Sequence, residues 1–144
     1  MLDWSKIKDL ENELSIKWPV LSSSVTQQAY LSMQWSRYGT CSGLTQLQYF
    51  QTALRLYDAI DLDNKLSSIN VFPGPTMYDP YTVLDNYNAR FGLYPRIWCA
   101  SRSVSPLVEM IARFEFQINP DGETVESIPA AINLCRTSAV QFPP

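Results

Sequence analysis

An α+β fold is predicted by the way the hydrophobic period changes along the chain. Stripes of helical period with start and stop signals come first, period-two alternation takes over from Val108, and the turn sequence Asn119-Pro120-Asp121-Gly122 follows it. The 144 residues, 46% of them hydrophobic, suit one domain over 1–144, and no linker, repeat or low-complexity tract divides them.

The first helix is expected around Ile7, Leu10 and Leu14, with Asp3 or Ser5 as its cap and Pro19 stopping it after Trp18. Residues 22–28, SSSVTQQ, are polar and read as a loop. Thr45-Gln46-Leu47-Gln48 is a capping box, flanked by Leu44 and Tyr49 as a hydrophobic staple. The helix it opens should place Leu47, Phe50, Leu54, Tyr57 and Ile60 on one face. Phe72-Pro73-Gly74-Pro75 can continue no helix, and Asp79-Pro80 starts the next one, which carries Val83, Leu84, Tyr87 and Phe91 and stops at Gly92.

A long strand is then expected, burying Val108, Met110, Ala112, Phe114, Phe116 and Ile118 while Glu109, Ile111, Arg113, Glu115 and Gln117 face outward. The turn at 119–122 sends the chain back through a return strand at 123–128, and short strands fit 96–99 and 139–142. The sheet is thus expected to be antiparallel, with the helices packed on it.

Charge narrows the function. Charged residues make up 17% and the formal net charge is −3, so no overall field draws the chain to nucleic acid or an anionic membrane, and any RNA binding must be local. No apolar run approaches the roughly 20 residues that span a bilayer, and the N-terminal residues lack a signal-peptide pattern. A soluble chain with no membrane partner and no visible route to the secretory pathway is the expectation. Cys41, Cys99 and Cys135 match no zinc spacing, and no metal or other cofactor is implied.

The chemistry-bearing stretch is Tyr30-Leu31-Ser32-Met33-Gln34-Trp35-Ser36-Arg37-Tyr38-Gly39-Thr40-Cys41. It resembles the second conserved box of the ribonuclease T2 family, Phe-Trp-x-His-Glu-Trp-x-Lys-His-Gly-Thr-Cys, in the plant S-like type. The likeness continues through Tyr49-Phe50, Gly92-Leu93-Tyr94-Pro95-Arg96-Ile97-Trp98-Cys99, Cys135 and Val140-Gln141-Phe142-Pro143. It implies a T2-like fold lacking its N-terminal part. The family's first box, His-Gly-Leu-Trp-Pro, has no counterpart, and Trp18-Pro19 fits a later Trp-Pro of the family.

The resemblance also implies a bridge between Cys99 and Cys135, with Cys41 left unpaired because its mate lies upstream; three buried free thiols are the alternative. A further bridge of plant members would fall near Phe116 and Ser127, where both cysteines are gone. The family's address is secreted or vacuolar.

The family's reaction is a transesterification giving a 2′,3′-cyclic phosphate, with imidazoles as base and acid and a nearby cation to stabilise phosphoryl charge. Carried over residue by residue, the box's histidines fall on Met33 and Tyr38, its glutamate on Gln34 and its lysine on Arg37; the chain contains no histidine. Methionine cannot transfer a proton, glutamine does not titrate, and a phenol with a pKa near 10 is a poor base at neutral pH. No catalytic residue is therefore assigned. Trp35, Arg37 and Tyr38 are the candidates for holding RNA or a nucleotide weakly, by stacking and by charge.

Three functions follow as expectations: a degenerate homologue that retains weak RNA or nucleotide binding, a storage or structural protein, and an endoribonuclease completed by another chain. Takeover of catalysis by a carboxylate such as Glu109 or Glu115, acting with Arg37, is a fourth arrangement. An exposed sheet edge would invite a protein partner or self-association.

Overall fold

Asp3 caps the first turn, its Oδ1 accepting from the Ser5 amide at 3.2 Å, in a computed structural model that describes residues 1–102, 108–119, 122–128 and 133–143. Two compact units are formed, Met1–Ile60 and Asp61–Pro144.

In the first unit the opening segment is not one helix. Tight 3₁₀ turns at Trp4–Lys6 and Lys8–Leu10 lead into α1, Glu11–Lys17. Ile7 and Leu14 still reach the core, because only those two positions of the segment's stripe need to be inside. The expected loop at 22–28 is shorter than its polarity suggested. Thr26 accepts from the Ala29 amide and starts α2, Gln27–Gln34, so Gln27 and Gln28 are helical. This helix buries Leu31 alone, which is why no apolar stripe announced it.

The box then winds into a π-helical turn, Trp35–Gly39. The capping box at Thr45 forms as expected: the Gln48 amide donates to Thr45 Oγ1 at 3.3 Å and Gln48 Oε1 accepts from the Thr45 amide at 3.0 Å. It opens α3, Gln46–Ile60, which buries Phe50 and Leu54, whereas Leu47 and Tyr57 stay exposed. Leu2, Ile7, Leu14, Leu31, Trp35, Phe50 and Leu54 make up this unit's core.

The second unit begins with α4, Leu62–Ser68, a short helix with no advance signal, whose N-cap Asp61 is left-handed at φ 43°. After β1, Met77–Tyr78, helix α5 spans Pro80–Phe91 as its signals required: Asp79 accepts from the Tyr81 amide, Pro80 occupies the first turn, and Gly92 ends it at φ 69°.

The sheet runs β1-β7-β3-β2-β6, with β2 Arg96–Arg102, β3 Val108–Glu115, β6 Asn133–Leu134 and β7 Val140–Gln141. The pair β2–β3 is antiparallel, and β6 and β7 join it in parallel. The long strand of the sequence is divided. β4, Gln117–Ile118, leaves the main sheet and pairs with β5, Val125–Glu126; Pro120 and Asp121 of the connecting turn lie outside the described residues.

The strand's buried face also differs from the alternation. Trp98 pairs with Arg113 but Cys99 pairs with Ile111, so Ala112 is an extra residue in β3. This bulge shifts the phase by one position. Glu109 and Ile111 face inward before it and Phe114 after it, while Ala112 is exposed. On the outer face the Arg113 guanidinium lies 4.4 Å over the Trp98 ring.

Tyr87 fills the centre of the second core, packed on Phe91 with ring centroids 4.8 Å apart. Its hydroxyl is buried without a hydrogen-bond partner among the described residues. Burial, and secondarily the Asp61 charge, push its pKa up to about 12. Since the hydroxyl is desolvated for no bond in return, Tyr87→Phe is expected to leave stability unchanged or raise it by up to about 1 kcal/mol, as read from urea unfolding.

Candidate functional site

Where the box's side chains point follows from the π turn. The wider turn carries Trp35 and Gly39 inward and leaves Ser36, Arg37 and Tyr38 on the surface. Trp35, 8% exposed, sets its ring edge-on to Tyr49 at 5.6 Å. It is therefore held as a core residue, whereas Tyr38 is 50% exposed. The Arg37 guanidinium lies 5.4 Å over the Tyr38 ring. Among the described residues Arg37 has no carboxylate partner.

Tyr49 lies beside this pair, and its hydroxyl is made less acidic by burial first and by the neighbouring Cys41 and Tyr38 second. Cys41 is an exposed free thiol, donating to the Tyr38 carbonyl at 3.3 Å. Thr40 Oγ1 donates to the Ser36 carbonyl at 3.2 Å and Ser42 Oγ to that of Gly39 at 2.6 Å, closing the end of the box on itself.

Met33, near the end of α2, is 53% exposed and forms one wall of a groove of about 620 Å³ with Lys17, Trp18, Val20, Leu21 and Tyr30. Gln27 ties down the backbone of two lining residues: its amide donates to the Trp18 carbonyl at 2.8 Å and its Oε1 accepts from the Val20 amide at 2.9 Å. Trp18 Nε1 donates to the Tyr30 hydroxyl at 3.3 Å, fixing both rings.

Lys17 stands at the rim, but Glu13 at 2.7 Å and Asp58 at 2.6 Å already claim its ammonium and hold its pKa above the usual lysine range, Asp58 contributing most. The groove is thus mainly apolar, and in the box the charge open to an anion is that of Arg37, which has no carboxylate partner among the described residues. Apart from Met33, sequence reasoning did not name the groove. Trp18-Pro19 and Tyr30 were its only visible signals.

Glu109 and Glu115, weighed as substitutes for the lost base, are otherwise engaged. Glu115 pairs with Arg96 at 3.3 Å and Arg113 at 3.0 Å, and Glu109 is bound into a turn. Cys99 and Cys135 form a disulfide. No group of His, Cys, Asp or Glu among the described residues could hold a metal ion, and no helix there is long and apolar enough to cross a membrane.

A family model described as the Ribonuclease T2 family matches residues 1–128. The chain belongs to the ribonuclease T2 family. Ribonuclease DdI of Dictyostelium discoideum is 30% identical over 117 residues, covering 78% of this chain and 52% of that protein. A ribonuclease-like storage protein of Panax ginseng is 25% identical over 97 residues, covering 66% of this chain and 41% of that protein. The crystal structure of RNase NT in complex with 5′-AMP superposes with a TM-score of 0.86 at 24% identity, covering 99% of this chain and 71% of that one, which shows a shared T2 fold. The chain spans about half the length of the curated T2 relatives it matches.

Proposed function

We propose that this chain is a partial ribonuclease T2-type domain without proton-transfer catalysis, which holds RNA or a nucleotide weakly at Arg37 and Tyr38. The observation that carries the reading is the pairing of an exposed arginine, unclaimed by a described carboxylate, with an exposed aromatic ring, at a box whose two histidine positions are Met33 and Tyr38. Each missing acid–base role is worth on the order of 10² to 10⁴ in rate. Arginine can bond a phosphate through two N–H groups, and a phenol ring stacks on any base. The groove walled by Met33, Trp18 and Tyr30 offers a second, mainly apolar surface suited to a base. RNase NT, seen in complex with 5′-AMP, lends support from the same fold.

Storage is the second reading, favoured by the likeness to the Panax ginseng storage protein. One assay separates the two readings from an active enzyme completed by another chain. Purified protein is titrated into labelled single-stranded RNA at acid and neutral pH, and products are examined for cyclic-phosphate ends. The expected result is intact RNA and a salt-sensitive complex. Arg37→Ala should weaken that complex by roughly 3- to 10-fold and reduce the salt slope by about 0.7, the share of one phosphate contact on a single strand. Cyclic-phosphate ends would overturn the proposal, and no binding at low salt would leave storage as the reading.

A further inference from the structure

Glu109 is the one charged side chain buried among the described residues, at 2% exposure. The bulge at Ala112 is what turns it inward from β3. Its Oε2 accepts from the Arg136 amide at 2.6 Å and the Thr137 amide at 2.7 Å, and lies 3.1 Å from the Thr137 hydroxyl, whose single proton it shares with the Ala139 carbonyl at 3.0 Å. These donors belong to the turn between Cys135 and β7, the strand that sits between β1 and β3. The same turn is tied covalently to β2 through the Cys99–Cys135 bridge. Among the described residues the turn is thus held by the bridge and by Glu109, and the second of these is at full strength only while the carboxylate is ionised.

We infer that Glu109 is an acid-operated latch: ionised, it clamps the turn at 136–137 and fixes the entry of β7; protonated, it lets the turn open, with the disulfide limiting the opening to the segment after Cys135. A neutral carboxylic acid carries a proton of its own and accepts far less strongly, so two backbone N–H groups lose the charge that held them. Opening there would loosen β7 and uncover the hydrogen-bonding edge of β3.

Among the described side chains few other charges bear on the group. Opposite Glu109 stand Ser101 from β2 and Val140 from β7, neither of them charged, and the turn brings Arg136. Burial by itself raises the carboxyl's pKa. The Thr137 and Arg136 amides, the Thr137 hydroxyl and the Arg136 charge together outweigh it, so the net displacement is below the ordinary value of 4.5. The sign follows: the clamp is in force above the ordinary carboxylate value and is withdrawn as pH falls through the lower folded one.

The test is amide hydrogen exchange on the full oxidised chain across the acid range, corrected for intrinsic exchange. Protection of the Arg136 and Thr137 amides should drop at least roughly tenfold, while the Gly92 amide, bonded to the Asn88 carbonyl at 2.8 Å, keeps its protection. Glu109→Gln should show low protection at the turn already at neutral pH and no acid step. A flat profile in the wild type, or loss of protection at Gly92 at the same pH, overturns the latch. If Glu109→Gln does not fold, the wild-type Glu109 carboxyl carbon resonance decides. It must titrate with the midpoint of the turn amides, and separate midpoints sink the inference.

Discussion

Gly39→Ala is expected to destabilise the first unit by about 3 kcal/mol, the upper part of the range for overpacking a filled core. A methyl group on Gly39 would fall among the Trp35 ring carbons, 2.6 Å from Cζ3 and 2.9 Å from Cδ2, where real side chains do not approach. The ring has nowhere to go, because it is buried and set edge-on against Tyr49. Either the indole leaves its rotamer or the π turn unwinds. Unwinding moves Arg37 and Tyr38, which sit between the two residues on the same turn. Melting should therefore fall by roughly 10 °C, taking about 2–4 °C per kcal/mol for a chain of this size, and the proposed RNA binding should weaken with it. A melting point within roughly a degree of the wild type would mean that Trp35 is not packed as described.

Removing the disulfide is the second large effect. The bridge closes a separation of 36 residues, and the chain-entropy estimate for such a loop is roughly 3 to 4 kcal/mol. Cys99→Ala with Cys135→Ala should lose about that much in urea unfolding, with a steeper denaturant dependence because the unfolded chain is no longer cross-linked. Alanine suits the test, since both residues pack against the apolar core and a serine hydroxyl would want a partner there. Cys41→Ser is the contrast: the thiol is exposed, among the described residues it bonds the Tyr38 carbonyl, which a serine hydroxyl can also do, and the change should stay within about 0.5 kcal/mol. Thiol titration checks the pairing directly, one reactive group before reduction and three after it.

Local chemistry was the legible part of the fold. At Thr45, Asp79-Pro80 and Gly92 the signal and its structural consequence lie within four residues, so no distant contact could override them. What went unread lacked such signals. Helix α2 has a cap at Thr26 but only one buried side chain, and α4 enters through a left-handed Asp61, a conformation that aspartate adopts only occasionally and that its identity does not announce. Along β3 the pattern was present but its phase was not, since the extra residue at Ala112 depends on how β2 pairs with it.

The candidate site divides in the same way. Residue identity alone fixed which groups can exchange protons: Met33 and Gln34 cannot, and the chain has no imidazole to replace them. It also singled out Arg37 as the surviving charge of the box. Only the folded chain decided exposure. It buried Trp35 behind the π turn, put Arg37 over Tyr38, opened the groove beside Met33, and turned Glu109 from a possible base into the anchor of a turn. Titration chemistry belongs to a side chain wherever it sits, whereas accessibility and partners come from segments far apart in sequence, and no local pattern contains them.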